Sequence, residues 1–117
     1  MAIPRPGQPV RGSRTGRPVM ALLDLLGRRW ALRILWELRE EPMNFRELRA
    51  RCDSMSPSVL NQRLAELRET GIVALGGHAA GYGLTTEGRS LLGALAPLGN
   101  WARRWAKREA RGPKPAG

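Results

Sequence analysis

The 117-residue sequence has one cysteine, one histidine, one phenylalanine and one tyrosine. A lone Cys52 rules out an intrachain disulfide and fits a cytoplasmic protein. With one His, one Cys and ten acidic residues mostly spaced among arginines, no nucleophile–base pair and no metal-ligand cluster can be assembled. No catalytic residue, metal or cofactor is therefore expected, and an enzyme is a poor reading. No apolar run is long enough to span a bilayer, and internal repeats are absent. The N-terminus is rich in Pro, Gly and Arg and lacks the apolar stretch of a secretory signal. The length suits one domain with a modest core.

Acidic residues are also scarce, and where they are missing is informative. The formal charge is +10. Residues 1–17 hold Arg5, Arg11, Arg14 and Arg17 with no acid, a net +4, and residues 98–117 carry a net +5. Residues 18–97 balance ten arginines against nine acids, a net +1. The basic excess thus belongs to the two ends. Eighteen of the twenty cations are arginine, which suits bidentate phosphate contacts, although a GC-rich genome produces the same bias.

Pro4, Pro6, Pro9 and three glycines without periodicity make residues 1–16 a disordered basic arm, and 112–117 a frayed tail. Between them, 17–111 read as one domain. Val19, Leu22, Leu23 and Leu26 form an apolar helical stripe that Gly27 ends. Trp30, Ile34, Leu35 and Leu38 face inward on a second helix, with Arg29, Arg33 and Glu37 outward. Residues 43–45 read as a short extended piece. Asn44 and Glu47 make a capping box for a short third helix, with Leu48 and Cys52 toward the core. Ser56 caps a fourth, Pro57 opens it and Gly71 follows its last turn. Leu60, Leu64 and Leu67 give that helix its buried face. Ile72 to Leu75 and Tyr82 to Leu84 read as a hairpin around GGHAAG. Thr85 or Thr86 starts a long helical segment to about Arg111, in which Pro97 predicts a kink or two abutting helices.

Two helices joined by a short turn and followed by a hairpin have the order of a winged helix-turn-helix. The fold class is α+β, mostly α. In that geometry the second helix of the pair enters the DNA major groove. Its outward face carries Ser58, Asn61, Gln62 and Ala65 instead of the Glu and Lys that ordinarily solvate a helix. Asn and Gln can each pair bidentately with adenine, Ser can bond either way, and Arg can reach guanine or phosphate.

LLDLLGRRWALRILWEL (22–38), NFRELR (44–49), MSPSVLNQRLAELRETGIV (55–73), YGLTTEGRSL (82–91), Trp101 and Trp105 occur in one order. In that order the chain resembles the HxlR family of bacterial winged-helix transcription regulators over roughly 17–106. The resemblance implies a homodimeric, sequence-specific DNA-binding regulator. It makes 57–70 the recognition helix and places Ser56, Ser58, Asn61, Gln62 and Arg63 toward double-stranded DNA, with Arg46 and Arg49 on phosphates and Val59 near that face, either touching a thymine methyl or packing against the preceding helix. It also implies N- and C-terminal dimerisation helices. Leu91, Leu95, Leu98, Ala102 and Trp105 step like a heptad seam beside Trp101, and a partner subunit is its natural cover. With Leu22, the residues Leu95, Leu98, Trp101, Ala102 and Trp105 make up the dimerisation set.

Three positions depart from the family pattern. Arg17 stands where relatives usually carry a Cys used by some for redox sensing. The wing tip offers only His78, and Ser58 replaces a commonly basic residue. These changes keep an alternative open: a winged-helix dimerisation or protein-interaction module with only nonspecific DNA affinity. Nonspecific binding through the basic ends is a third reading. Arg103, Arg104, Lys107 and Arg108 could flank DNA or an anionic lipid surface, or simply be solvated; no membrane partner is assigned. A small-molecule effector, held in a cleft lined by the four Trp residues, is compatible with regulation, although packing explains them as well.

Overall fold

The computed structural model describes residues 3–8, 17–76 and 81–111. Helix α1 spans Pro18–Leu26, α2 Ala31–Glu37, α3 Phe45–Arg51 and α4 Pro57–Glu69. A hairpin of β1 (Val73–Leu75) and β2 (Tyr82–Leu84) follows, then α5 (Thr86–Ala110). The winged helix-turn-helix expected from the sequence is present, with α3 and α4 as the pair.

Local chemistry sets the helix ends. The Asn44 side chain accepts from Glu47 N–H at 2.8 Å while the Glu47 carboxylate accepts from Asn44 N–H at 3.3 Å, completing the capping box. Ser56 caps α4 by accepting from Val59 N–H at 3.4 Å. The other end of α4 closes with two bonds, Ile72 N–H to the Leu67 carbonyl (2.9 Å) and Gly71 N–H to Arg68 (3.1 Å). That closure needs a left-handed residue at Gly71, whose φ is +79°. Thr85 accepts from Gly88 N–H at 3.0 Å and donates to the Gly71 carbonyl at 2.6 Å, so one hydroxyl starts α5 and ties it to the end of α4.

The core gathers Leu25, Leu26, Ile34, Leu35, Leu38, Leu48, Cys52, Met55, Leu60, Leu64, Leu67, Ile72 and Val73. Leu60, Leu64 and Leu67 are almost fully buried, each contributing roughly 1.5–3 kcal/mol. The hairpin is antiparallel with Ala74 opposite Gly83. Met43 extends it by exchanging bonds with Tyr82, N–H to carbonyl in both directions at 2.9 and 2.7 Å. Gly81 permits this approach, because a Cβ there would sit 2.5 Å from the Met43 oxygen.

Three expectations are corrected. First, α1 buries Ala21, Leu25 and Leu26 and leaves Val19 and Leu23 exposed, so its covered stripe is rotated from the one the apolar spacing indicates. Second, Trp30 precedes α2 rather than lying in it; it is half-buried, with φ +76° at the corner between α1 and α2. Third, α5 is one helix running through Pro97, which overturns the alternative of two abutting helices. The N–H that Pro97 lacks would have met the carbonyl of Gly93, and both residues are exposed, so water can hydrate that oxygen. At the N-terminus, residues 3–8 lie against the domain, with Pro4 buried and Arg5 paired to Glu69 at 2.9 Å. Arg11, Arg14, His78 and the tail fall outside the described residues.

Candidate nucleic-acid interface

The turn between α3 and α4 sets the direction of α4. Asp53 and Ser54 adopt left-handed φ values of +57° and +54°, each costing about 1–3 kcal/mol. Cys52 and Met55 on either side plug into the core. Arg49 bonds the Met55 carbonyl through Nε at 2.7 Å, and Arg33 reaches the Arg51 carbonyl at 2.7 Å and Asp53 at 3.3 Å. Arginines from two helices thus hold the turn. The Glu37 hydrogen bond raises the Arg33 pKa further, keeping that clamp charged. Burial pushes the Cys52 thiol up, against a smaller opposing pull from Arg33, so it stays protonated near neutrality.

With its Leu face anchored, α4 presents Ser58, Asn61, Gln62 and Ala65 to solvent. Among the described residues, no group hydrogen-bonds the Asn61 or Gln62 amide, and the first turn of α4 has no acid. Ser56 is exposed but shares a 3.0 Å bond with Ser58 besides capping. Val59 is half-buried against the core. Arg46 is exposed on α3, whereas Arg49 is held by the turn.

Arg63 is oriented differently from its neighbours on α4. Its Nε donates to the Arg29 carbonyl at 2.8 Å and its Nη1 to Glu66 at 2.9 Å. Glu66 is buried and also takes an ion pair from Arg28, which lies within 4.0 Å of Asp24. This cluster fastens the middle of α4 to the corner between α1 and α2. The sequence reading missed Arg28, Glu66 and Asp24. Their one sequence signal is a Glu that falls within the leucine-bearing stretch of α4.

The other candidate surface is the far half of α5. Leu22 and Leu95 are half-buried against the core of their own chain. Leu98, Trp101 and Trp105 are 62, 53 and 49% exposed, and Ala102 is exposed beside them. The two indoles stack at 6.0 Å between centroids.

Comparison with known proteins follows the same lines. Residues 25–110 match the family described as HxlR-like helix-turn-helix. The chain is 31% identical over 88 residues to the uncharacterized HTH-type transcriptional regulator YvaP of Bacillus subtilis (strain 168), spanning 71% of this chain and 82% of that protein. Quinone-bound YodB from B. subtilis superposes with a TM-score of 0.68 at 29% identity, covering 74% of this chain and 94% of YodB. A protein described as a regulator of the MarR family from Enterococcus faecalis V583 superposes with a TM-score of 0.72 at 28% identity, covering 80% of this chain and 89% of its own. No helix among the described residues is long and apolar enough to cross a membrane. The match across most of the chain, on a winged helix-turn-helix built from the same residues, makes this protein a member of the HxlR family of helix-turn-helix transcriptional regulators.

Proposed function

We propose that the protein regulates transcription in the cytoplasm as a homodimer, reading a specific duplex sequence with α4 in the major groove and without a catalytic step. The observation that carries this reading is the pair of unengaged amides, Asn61 and Gln62, on the exposed face of a helix whose opposite face is fixed in the core. A cap free of acid at its N-terminus favours a nearby phosphate. Ser58 leaves room for close approach. The exposure of Arg46 on α3 supports a backbone contact there, while the bonds of Arg49 and Arg63 within the fold suit positioning roles.

The exposed Leu98, Trp101 and Trp105 support association of two copies through α5. A two-fold dimer reads half-sites one or two helical turns apart, roughly 34 Å per turn. The similarity to YodB, solved with a quinone, supports a small-molecule effector within this reading. The buried, protonated Cys52 is badly placed to react with an electrophile of that kind.

The test is a fluorescence-anisotropy titration comparing duplexes from the gene's own upstream region with scrambled duplexes at two salt concentrations. A preference for the native duplex that survives higher salt supports base readout. Equal affinities that collapse together would leave only nonspecific binding through the basic ends. Asn61→Ala or Gln62→Ala is expected to lose about 1–3 kcal/mol on the preferred duplex and little on scrambled ones.

A further inference from the structure

Beside the exposed face of α4 lies a half-open cavity of about 450 Å³, bounded by α1, the corner before α2, and α4. Its polar lining is Asp24, Arg28, Arg29, Gln62 and Arg63. The charges in this lining are unequally satisfied. Arg28 and Arg63 converge on Glu66, and Arg28 also reaches Asp24, so two cations face two carboxylates in a largely buried cluster. Arg29 is the cation left over. It is exposed, its side chain makes no ion pair among the described residues, and its guanidinium lies over the ring of its neighbour Trp30, 5.9 Å from the centroid.

Two further facts give this surplus charge a direction. Gln62, whose amide is unengaged, lines the same cavity and lies on the face of α4 assigned to the groove. The Arg29 backbone is bonded to Arg63 on that helix at 2.8 Å, so Arg29 keeps a fixed place relative to it. A helix seated in the major groove has a phosphate wall along each side, and phosphate contacts set register without reading sequence. We propose that this cavity receives a backbone phosphate of the bound duplex, held by the Arg29 guanidinium with the Gln62 amide beside it. The proposal rests on α4 occupying the groove.

The experiment measures affinity against salt concentration for the full-length protein, Arg29→Ala, Arg29→Lys and Arg39→Ala, on native and scrambled duplexes. Arg39 follows α2 as Arg29 precedes it, and its removal changes net charge equally. Arg29→Ala is expected to weaken binding on both duplexes alike, about five-fold near physiological salt, and to reduce the salt slope by about 0.9. Arg29→Lys is expected to keep the wild-type slope, as is Arg39→Ala. A wild-type slope for Arg29→Ala overturns the proposal, and so does an equal drop for Arg39→Ala, which would mark a generic charge effect. Near-UV circular dichroism of the indoles checks that each variant is folded. Failure of the groove reading looks different: the unmutated protein itself would show no preference for the native duplex. In that case a slope lowered by Arg29→Ala would place a phosphate at Arg29 but not on a groove wall, and would overturn the proposal as stated.

Discussion

The winged body and the far half of α5 treat the same kinds of side chain in opposite ways. In the body, Leu60, Leu64 and Leu67 recur at helical spacing and vanish into a core drawn from the first four helices and the hairpin. On α5 the seam divides. Leu91 and Leu95 lean on that core, while Leu98, Trp101 and Trp105 continue the pattern but, among the described residues, stand exposed away from it. Periodicity therefore reports which side of a helix is apolar and says nothing about which chain covers it. The charged clusters differ too. In the body Glu66 joins Arg63 of α4 to Arg28 of the corner before α2, whereas the basic residues on the far half of α5 lie exposed.

The largest expected effect lies in the body. Glu66→Ala takes the shared carboxylate from the half-buried Arg28 and Arg63, and a loss of about 3 kcal/mol in urea unfolding is expected. Unfolding within 1 kcal/mol of wild type would show that water or Asp24 already neutralises the pair. Next comes the far half of α5, where truncation should act on association. Trp101→Ala combined with Trp105→Ala is expected to weaken the dimer by about 2–4 kcal/mol in sedimentation equilibrium, with near-native helix content. If the double variant unfolds the body instead, the division of the helix drawn above is wrong. Smallest is the cap of α3. Asn44→Ala removes the acceptor for Glu47 N–H and is expected to lower stability by about 1 kcal/mol, leaving association unchanged.

What the sequence made legible was local. The capping box at Asn44 and Glu47, the Ser56–Pro57 start of α4 and the glycine stop at Gly71 were readable, because each is a bond between groups a few residues apart. The extended character of Met43 was readable for a similar reason, although its partner Tyr82 was not. Pairings across long separations were hidden. Arg28 meets Glu66 across 38 residues, and the resemblance that points Arg63 toward DNA carries no sign that its guanidinium is bonded to Arg29 and Glu66. The resemblance points Arg49 to a phosphate; in the fold its guanidinium meets carbonyls of the turn between α3 and α4. The rotated stripe of α1 was unreadable for the reason that divides α5. Val19 and Leu23 are as apolar as the residues their chain buries.

The exchange of bonds between Met43 and Tyr82 has a consequence for the economy of binding. A hairpin of two three-residue strands is barely stable alone. Here a third segment grips it, and that segment runs directly into Asn44, the cap of α3. The hairpin and the start of the helix-turn-helix are thereby one mechanical piece, and a tilt of either carries the other. The strands of the hairpin are held by a base whose conformational freedom was lost during folding, so a partner arriving at them need not supply that ordering itself.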